Sequence, residues 1–320
     1  MALLGIDLGG TKLASAIFNE TGEILHKEVL ALNNRRGKEV GELIATQIHA
    51  FKEAGATNDT QVSSIGICVP GIYRIKTGSV WAPNIPGWDD YPLLNEIKMI
   101  SGDIPVSIDS DRACYILGEL WKGNAKQCED AIFLSVGTGI GAGILINGKV
   151  LRGAHDIAGA IGWMALDKPF DLEYIHSGCF ETHASGEGIA KLARKFLKEQ
   201  NNYSGELKNI SVDDITSRHV FTAYENKDPI ALKVMDCCIE YWGMAIANLV
   251  SLFNPEKIIL GGGVFGPAIN FIPAIIKEAT KWAQPISITQ VSIEASGLGN
   301  DAGIYGAGFL ALQNNNLSIS

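Results

Sequence analysis

The most constraining feature of this sequence is a pattern of strands and turns that occurs twice. Residues 5–24 read GIDLGGTKLASAIFNETGEI, and residues 133–150 read FLSVGTGIGAGILINGKV. Each copy has an apolar strand, a Gly/Thr cluster, a strand of small residues, an Asn-Gly-type turn and a third strand. Glycine has no side chain, so its backbone N–H can come close to a ligand. One such turn also occurs in ordinary hairpins. Two of them predict a duplicated domain that binds a polyphosphate from both sides.

The composition is that of a soluble chain with a sizeable core. The chain has 320 residues, 47% of them hydrophobic and 19% charged, which is enough for one large or two medium domains. The formal charge of −9 argues against non-specific binding of nucleic acid. The first ten residues lack the positive start of a signal peptide, and the apolar stretch 243–253 is far shorter than the ~20 residues that span a bilayer. We therefore expect a cytoplasmic protein without a membrane partner.

The cysteine pattern agrees with that expectation. The chain has six cysteines, none in C-x-x-C spacing. We expect buried, reduced thiols.

Strands and helices are predicted to alternate, which indicates an α/β architecture with partly parallel sheets. Beyond the repeated unit, apolar periodicity predicts helices at 38–54, 112–122, 186–199, 229–253, 267–282 and 301–312. Short apolar runs predict strands at 64–69, 105–108, 257–260 and 286–293, and 73–88 reads as a loop.

Seven motifs give a family resemblance. They are DLGGTK at 7–12, VPG at 69–71, APNIPGW at 82–88, GTGIGAGI at 137–144, GCFETHASG at 178–186, ILGGGV at 259–264 and LGNDAGIYGA at 298–307. In this order, from about residue 3 to about residue 312, they resemble the ROK family of sugar kinases and repressors. That family belongs to the superfamily of actin, hexokinase and heat-shock-chaperone ATPases. Each glycine block alone is weak evidence, but together they are strong evidence for the fold.

The resemblance implies an α/β fold of two actin-like (ribonuclease-H-like) domains that flank a deep cleft for nucleotide and sugar. The small domain would comprise 1–112 plus about 303–320, and the large domain 113–302. The implied cofactors are ATP and Mg²⁺, and the implied partner is a small-molecule sugar. Homodimers are usual among relatives of this family.

Asp111 is the predicted catalytic residue. Phosphoryl transfer to a hydroxyl needs a carboxylate that orients the nucleophile and accepts its proton. Asp111 follows a predicted strand, where polar groups of parallel sheets gather. In the resembled family this block commonly reads E-N-D-A-N, whereas 109–113 here read D-S-D-R-A, so the key Asp is kept. The alternative is that Asp111 only caps the next helix.

The resemblance also assigns ligand-binding residues. Asp7 would help to position Mg²⁺, through water. The sugar would contact Gly71, Asn84, Asp111 and Glu181. Trp163, which stands where the family has a His, would stack on the sugar or close part of its pocket. The nucleotide would contact Gly9, Gly10, Thr11, Lys12, Gly137, Thr138, Gly139, Gly261, Gly262 and Gly263. The alternatives are hairpin turns at the glycines and a turn former at Asn84.

The chain departs from the family around its zinc motif. Where the family reads A-G-E-I-G-H-M, residues 158–164 read A-G-A-I-G-W-M, so a sugar-binding Glu becomes Ala160 and a His becomes Trp163. Of three zinc-binding cysteines only Cys179 is kept, and a structural zinc site needs four ligands. We predict no zinc. We expect apolar packing of Leu172, Tyr174 and Phe180 to hold this segment instead.

The leading functional hypothesis is an ATP-dependent, glucokinase-like kinase that phosphorylates the 6-hydroxyl of a hexose. Ala160 and Trp163 favour a modified or larger sugar, or poor affinity. The alternative is a catalytically weak or inactive, sugar-binding or regulatory member. The family's repressors carry an N-terminal helix-turn-helix, and we expect none because the first motif begins at Asp7. Polyphosphate is an alternative donor.

Overall fold

The computed structural model describes residues 2–57, 61–200 and 202–317. Contacts divide the chain into two compact units. The first unit comprises Met1–Gln127, Lys149–Ala158 and Asn300–Ser320, and the second comprises Cys128–Gly148 and Gly159–Gly299. The predicted domains differ from these units, because the boundary at residue 112 falls inside a helix that the structure places wholly in the first unit. The predicted division into a small and a large domain remains a proposal.

Strands and helices alternate along the described residues, as predicted. The strands are β1 (Ala2–Leu8), β2 (Lys12–Phe18), β3 (Ile24–Ala31), β4 (Val62–Val69), β5 (Ile72–Arg74), β6 (Ser79–Trp81), β7 (Val106–Ser110), β8 (Ala131–Val136), β9 (Ile140–Ile146), β10 (Lys149–Val150), β11 (Lys257–Gly261) and β12 (Ser292–Ala295). The helices are α1 (Lys38–Thr57), α2 (Leu93–Ser101), α3 (Asp111–Trp121), α4 (Tyr174–Ser177), α5 (Cys179–Ala184), α6 (Gly186–Glu199), α7 (Ser217–Glu225), α8 (Pro229–Phe253), α9 (Ile272–Trp282) and α10 (Ala302–Leu317).

The main sheet of the first unit has the strand order β3-β2-β1-β4-β7. Strand β2 runs antiparallel to β1 and β3, whereas β4 runs parallel to β1 and β7. In this register Asp7 lies opposite Cys68, and Cys68 lies opposite Asp109. The carboxyl ends of β1, β4 and β7 therefore meet at one edge of the sheet.

The sheet of the second unit repeats this arrangement. Its strands follow the order β9-β8-β11-β12, with β9 antiparallel to β8 and with β8, β11 and β12 parallel. Ser135 lies opposite Gly261. The predicted duplication of the strand unit is present in the structure.

Helix α10 packs on the first sheet and on α3 through small residues. A methyl group on Gly66 of β4 would collide with the carbonyl of Ala307, and one on Gly306 would collide with the carbonyl of Cys114. Because glycine allows the backbones to approach closely, the amino end of α10 reaches the edge where β1 ends. The same packing explains why α3 belongs to the first unit.

Three predicted segments differ from the structure. The predicted loop at 73–88 contains the β5–β6 hairpin. The predicted helix at 267–282 is α-helical only from Ile272, because the missing N–H of Pro273 is tolerated only in a first helical turn. The predicted strand at 286–293 is shortened to β12, because the Gln284 side chain accepts the N–H groups of Ile286 and Ser287 and starts a 3₁₀ turn there.

Along the described residues, every helix is too short or too polar to cross a lipid bilayer.

Candidate functional site

Strand β7 leads directly into α3, and Asp111 is the first residue of that helix. The N-cap of α3 is Ser110, whose Oγ accepts the N–H of Ala113 at 3.4 Å. The alternative that Asp111 serves only as the N-cap is therefore wrong. Its carboxylate is available for another task.

The hydrogen bonding and the raised pKa of the Asp111 carboxylate suit a general base. Its Oδ1 accepts the backbone N–H of Arg112 at 2.8 Å. Within the described ranges, nothing donates a hydrogen bond to the other oxygen. Burial raises the pKa of Asp111 to about 6, and the charges of Asp7 and Asp109 add to the rise while Arg112 opposes it. A carboxyl group with this pKa is ionised at pH 7 and is a stronger base than an exposed Asp.

Asp7 lies at the end of β1, close to the first turn of α10. A methyl group on Gly303 would lie 2.5 Å from its Oδ2, so the helix backbone covers the carboxylate. Burial raises the pKa of Asp7, whereas a hydrogen bond from Cys68 and the charge of Lys12 lower it. A carboxylate with this raised pKa gains from a nearby cation, which fits the proposed role near Mg²⁺.

The first Gly/Thr turn follows Asp7 and lies beside Asn84. The Gly9 N–H donates to the Lys12 carbonyl at 2.9 Å, and Gly10, Thr11 and Lys12 are exposed. A methyl group on Gly10 would lie 3.5 Å from Cβ of Asn84. The structure therefore brings a predicted phosphate residue and a predicted sugar residue together.

Gly71 is linked to the start of α3 by Arg112. The Nη2 of Arg112 donates to the Gly71 carbonyl at 3.3 Å. The carbonyl of Trp81 leaves no room for a side chain at Gly71. Gly71 thus lies close to the helix that carries Asp111.

In the second unit, Glu181 lies against the second Gly/Thr turn. The Gly137 N–H donates to the Gly139 carbonyl at 2.9 Å, and the Glu181 Oε2 accepts the N–H of Ile140 at 2.6 Å. Burial raises the pKa of Glu181, and the Ile140 N–H opposes the rise. The sequence does not reveal this contact, because Glu181 and Ile140 are 41 residues apart.

Gly261, the last residue of β11, and the two glycines that follow it lie beside the same turn. A methyl group on Gly262 would lie 2.5 Å from the carbonyl of Val136, and the φ angle of Gly262 is +88°. At Gly137 and Gly263 a methyl group would meet nothing within 4 Å. The fold requires glycine at 262, whereas 137 and 263 border open space that a ligand can enter.

Trp163 ends a 3₁₀ turn (Ile161–Trp163) and is 56% exposed. A methyl group on Gly178 would lie 2.6 Å from Cα of Trp163, and one on Gly162 would lie 3.0 Å from Cβ of Glu181. Trp163 and Glu181, both predicted to bind sugar, therefore lie close together. The exposed indole is free to stack on a ligand.

The segment that replaces the zinc motif is held differently from the prediction. Tyr174 and Phe180 are buried, but Leu172 is 75% exposed, so its predicted packing role is wrong. Polar and aromatic contacts contribute instead, because the His183 ring stacks on Tyr241 at 4.5 Å and its Nε2 shares a 2.7 Å hydrogen bond with the Tyr174 hydroxyl. Over the residues described, no group of three or more His, Cys, Asp or Glu side chains can hold a metal ion. That zinc is lacking remains a prediction.

Comparisons with known proteins agree on one family. Residues 3–314 match the family described as the ROK family. The chain is 33% identical to a glucokinase of Halalkalibacterium halodurans over 98% of this chain and 96% of the relative. It resembles the crystal structure of a ROK family transcriptional regulator, a homologue of the E. coli MLC protein, with TM-score 0.86 and 25% identity over 99% of this chain and 80% of that one. It also resembles a ROK family glucokinase from Streptomyces griseus in complex with glucose and AMPPNP, with TM-score 0.76 and 28% identity over 98% and 100%.

Proposed function

Because this chain belongs to the ROK family, we propose that it is an ATP-dependent sugar kinase that transfers the γ-phosphoryl group to a sugar hydroxyl. The family and the α/β fold class with actin-like domains are as predicted. One observation carries the proposal. Asp111 is a partly buried carboxylate with a pKa of about 6 and, among the described residues, with one oxygen that accepts no hydrogen bond.

Asp111 would act as the base. The Asp111 oxygen that accepts no hydrogen bond from the described residues would accept one from the attacking hydroxyl. It would then take the proton as the bond from the sugar oxygen to the γ-phosphorus forms and the bond from that phosphorus to the bridging oxygen of ADP breaks. The Arg112 N–H would hold the other oxygen in place, so the carboxylate keeps its orientation during the transfer. The Asp111 side chain therefore has both the basicity and the fixed position that this role needs.

The donor would be bound by backbone groups. In the first unit the turn of Gly9, Gly10, Thr11 and Lys12 would contact phosphate oxygens. In the second unit the turn at 137–139 would do so, with Gly261, Gly262 and Gly263 beside the adenosine part. The relative crystallised with AMPPNP supports ATP as the donor. Mg²⁺ held near Asp7 through water would neutralise phosphate charge.

The acceptor would be a hexose or modified hexose, phosphorylated at its 6-hydroxyl. The glucokinase relatives support this substrate class. Asn84 and Glu181 would bind sugar hydroxyls, and Gly71 and Trp163 would contact the ring. Asn and Glu suit this task, because a site built to hydrogen-bond a hydroxyl rejects a sugar that lacks it.

ADP release with Mg-ATP, measured across hexoses, N-acetylhexosamines and disaccharides, tests the proposal. We expect turnover on one class of sugar, and its loss in Asp111→Asn. Asp103→Asn is the matched control, because Asp103 is an exposed carboxylate. ATP binding without turnover on any sugar would contradict the proposal.

A regulatory, catalytically inactive protein is the second candidate. The high structural similarity to a ROK family transcriptional regulator favours it. It predicts sugar binding that is the same in the wild type and Asp111→Asn, with no ADP released by either. ADP release by the wild type separates the two candidates, and calorimetric titration with the same sugars checks that both proteins bind sugar.

A further inference from the structure

An ion pair between a buried carboxylate and a partly exposed arginine lies close to the proposed base. Asp109, two residues before Asp111, is 1% exposed and pairs with Arg152, which is 43 residues away in the sequence. We infer that Arg152, acting through Asp109, is a positioning residue for Asp111. This inference rests on the proposed kinase function.

The pair has the geometry of a rigid clamp. The Nη1 of Arg152 donates to Oδ1 of Asp109 at 2.7 Å, and Nη2 donates to Oδ2. Two parallel N–H···O bonds between a planar guanidinium and a carboxylate fix both the distance and the rotation of the carboxylate. The Asp109 side chain therefore has one orientation as long as Arg152 is present.

The clamped carboxylate also holds the backbone that leads into Asp111. Its Oδ1 accepts the N–H of Ser110 at 2.8 Å. Ser110 in turn caps α3 through the N–H of Ala113. A rotation of Asp109 would release the Ser110 amide and loosen the first turn of α3, which carries the base.

Arg152 is itself fixed within the first unit. The Ala158 N–H donates to the Arg152 carbonyl at 3.0 Å and closes the loop that follows. Asp156, within this loop, accepts the N–H of Ile75 at 3.2 Å. This hydrogen bond connects the loop to the residue that follows β5 and restricts the position of Arg152.

Stability alone is a weak reason for such a pair. Burying the Asp109 carboxylate costs free energy that attraction to a partly exposed arginine often fails to recover. Losing one partner is harmful, because the other charge is left buried and uncompensated. Burial raises the pKa of Asp109, and Arg152 opposes this rise. Arg152 thus favours the ionised form of Asp109, which accepts the Ser110 N–H.

Steady-state kinetics of Arg152→Gln and Arg152→Lys test the inference. We expect Arg152→Gln to lower kcat by about tenfold to hundredfold, the range for a small misplacement of a catalytic group, with little change in KM for sugar or ATP. Arg152→Lys keeps the charge but cannot donate two parallel hydrogen bonds, so its kcat should lie between those of the wild type and Arg152→Gln. Arg74→Gln is the matched control, because it removes an exposed arginine pair, with Asp90, from the same unit.

Hydrogen exchange gives a second readout that does not depend on turnover. We expect faster exchange of the amides of Ser110 and Arg112 in both Arg152 variants than in the wild type and Arg74→Gln. An unchanged kcat with unchanged exchange, in either Arg152 variant that folds, would overturn the inference. If the wild type phosphorylates no sugar, the proposed function fails, and unchanged exchange at Ser110 would still overturn the positioning role.

Discussion

The two main sheets share one topology but differ in the chemistry at their strand ends. The order β2-β1-β4-β7 in the first unit matches β9-β8-β11-β12 in the second, with the same strand directions. At corresponding places, Asp7 and Cys68 of the first sheet are opposite each other, as are Ser135 and Gly261 of the second.

The two sheets therefore present different chemical groups at the carboxyl ends of their strands. The first sheet places carboxylates at its carboxyl edge, where burial raises the pKa of both Asp7 and Asp111. The second sheet places backbone N–H groups and glycines there, with open space at Gly137 and Gly263. We propose that the shared topology places the ligand at these strand ends and that the residues there determine its chemistry. We propose that the first unit supplies the base and one phosphate-binding turn, and that the second unit contributes only backbone contacts to the donor.

The largest expected effect is on turnover. Asp111→Asn removes the base of the first unit while keeping the size of the side chain. We expect kcat to fall by about 10²–10⁴-fold, the usual contribution of a positioned base, with sugar KM nearly unchanged. Initial rates of ADP release measure this. An equal loss in Asp103→Asn would show that the role is not specific to Asp111.

The same substitution should stabilise the protein. The pKa of Asp111 in the folded state is about 6, against 3.8 as the ordinary value, so the native state binds this proton more tightly than the unfolded state. Stability from this group is complete below about pH 3.8 and is lost as the pH rises through 6. Asp111→Asn should therefore raise the free energy of unfolding at pH 8 by up to about 3 kcal/mol. The gain should vanish near pH 4, as followed by urea denaturation. No gain at pH 8 would contradict the burial of this charge.

Two glycines of the second unit should respond differently to the same change. Gly262→Ala forces a side chain into a positive φ and against the Val136 carbonyl, so we expect a loss of about 1–3 kcal/mol. Gly137→Ala meets nothing within 4 Å and should leave stability within about 0.5 kcal/mol. Thermal melting compares the two variants. Equal stability of both would contradict the difference between open space at Gly137 and a crowded backbone with positive φ at Gly262.

The smallest expected effect is on the pH profile. A base with a pKa of about 6 must be ionised to act, so kcat/KM should rise with pH and level off above pH 7. Arg112 lowers the pKa of Asp111, so Arg112→Gln should move the rising limb to higher pH. Arg74→Gln should not move it. A limb that stays in place in Arg112→Gln would show that this charge does not act on the base.

Local signals explain what the sequence predicts well. Helix α8 has the predicted bounds 229–253, because Asp228 caps its start, Pro229 occupies its first turn and Asn254 ends it in a left-handed conformation. The repeated strand units are equally clear, because apolar runs and glycine turns alternate within about 20 residues. The sequence also predicts that Asp111 follows a strand, because a short apolar run comes just before it, and in the structure Asp111 follows β7.

Long-range contacts explain what the sequence does not predict. The Asp109–Arg152 pair and the contact of Glu181 with Ile140 join residues more than 40 positions apart, and only the folded chain brings them together. The short helices α2, α4, α5 and α7 have nine or fewer residues each, too few for a clear apolar period.

Calorimetric titration of Mg-AMPPNP into Asp111→Asn and Gly137→Val tests the division of tasks most directly. We predict that Asp111→Asn binds the nucleotide as tightly as the wild type, because its carboxylate acts on the acceptor. Gly137→Val should bind at least about tenfold more weakly, because its side chain occupies the space of the phosphates. Weak nucleotide binding by Asp111→Asn, together with unchanged binding by Gly137→Val, would contradict the account.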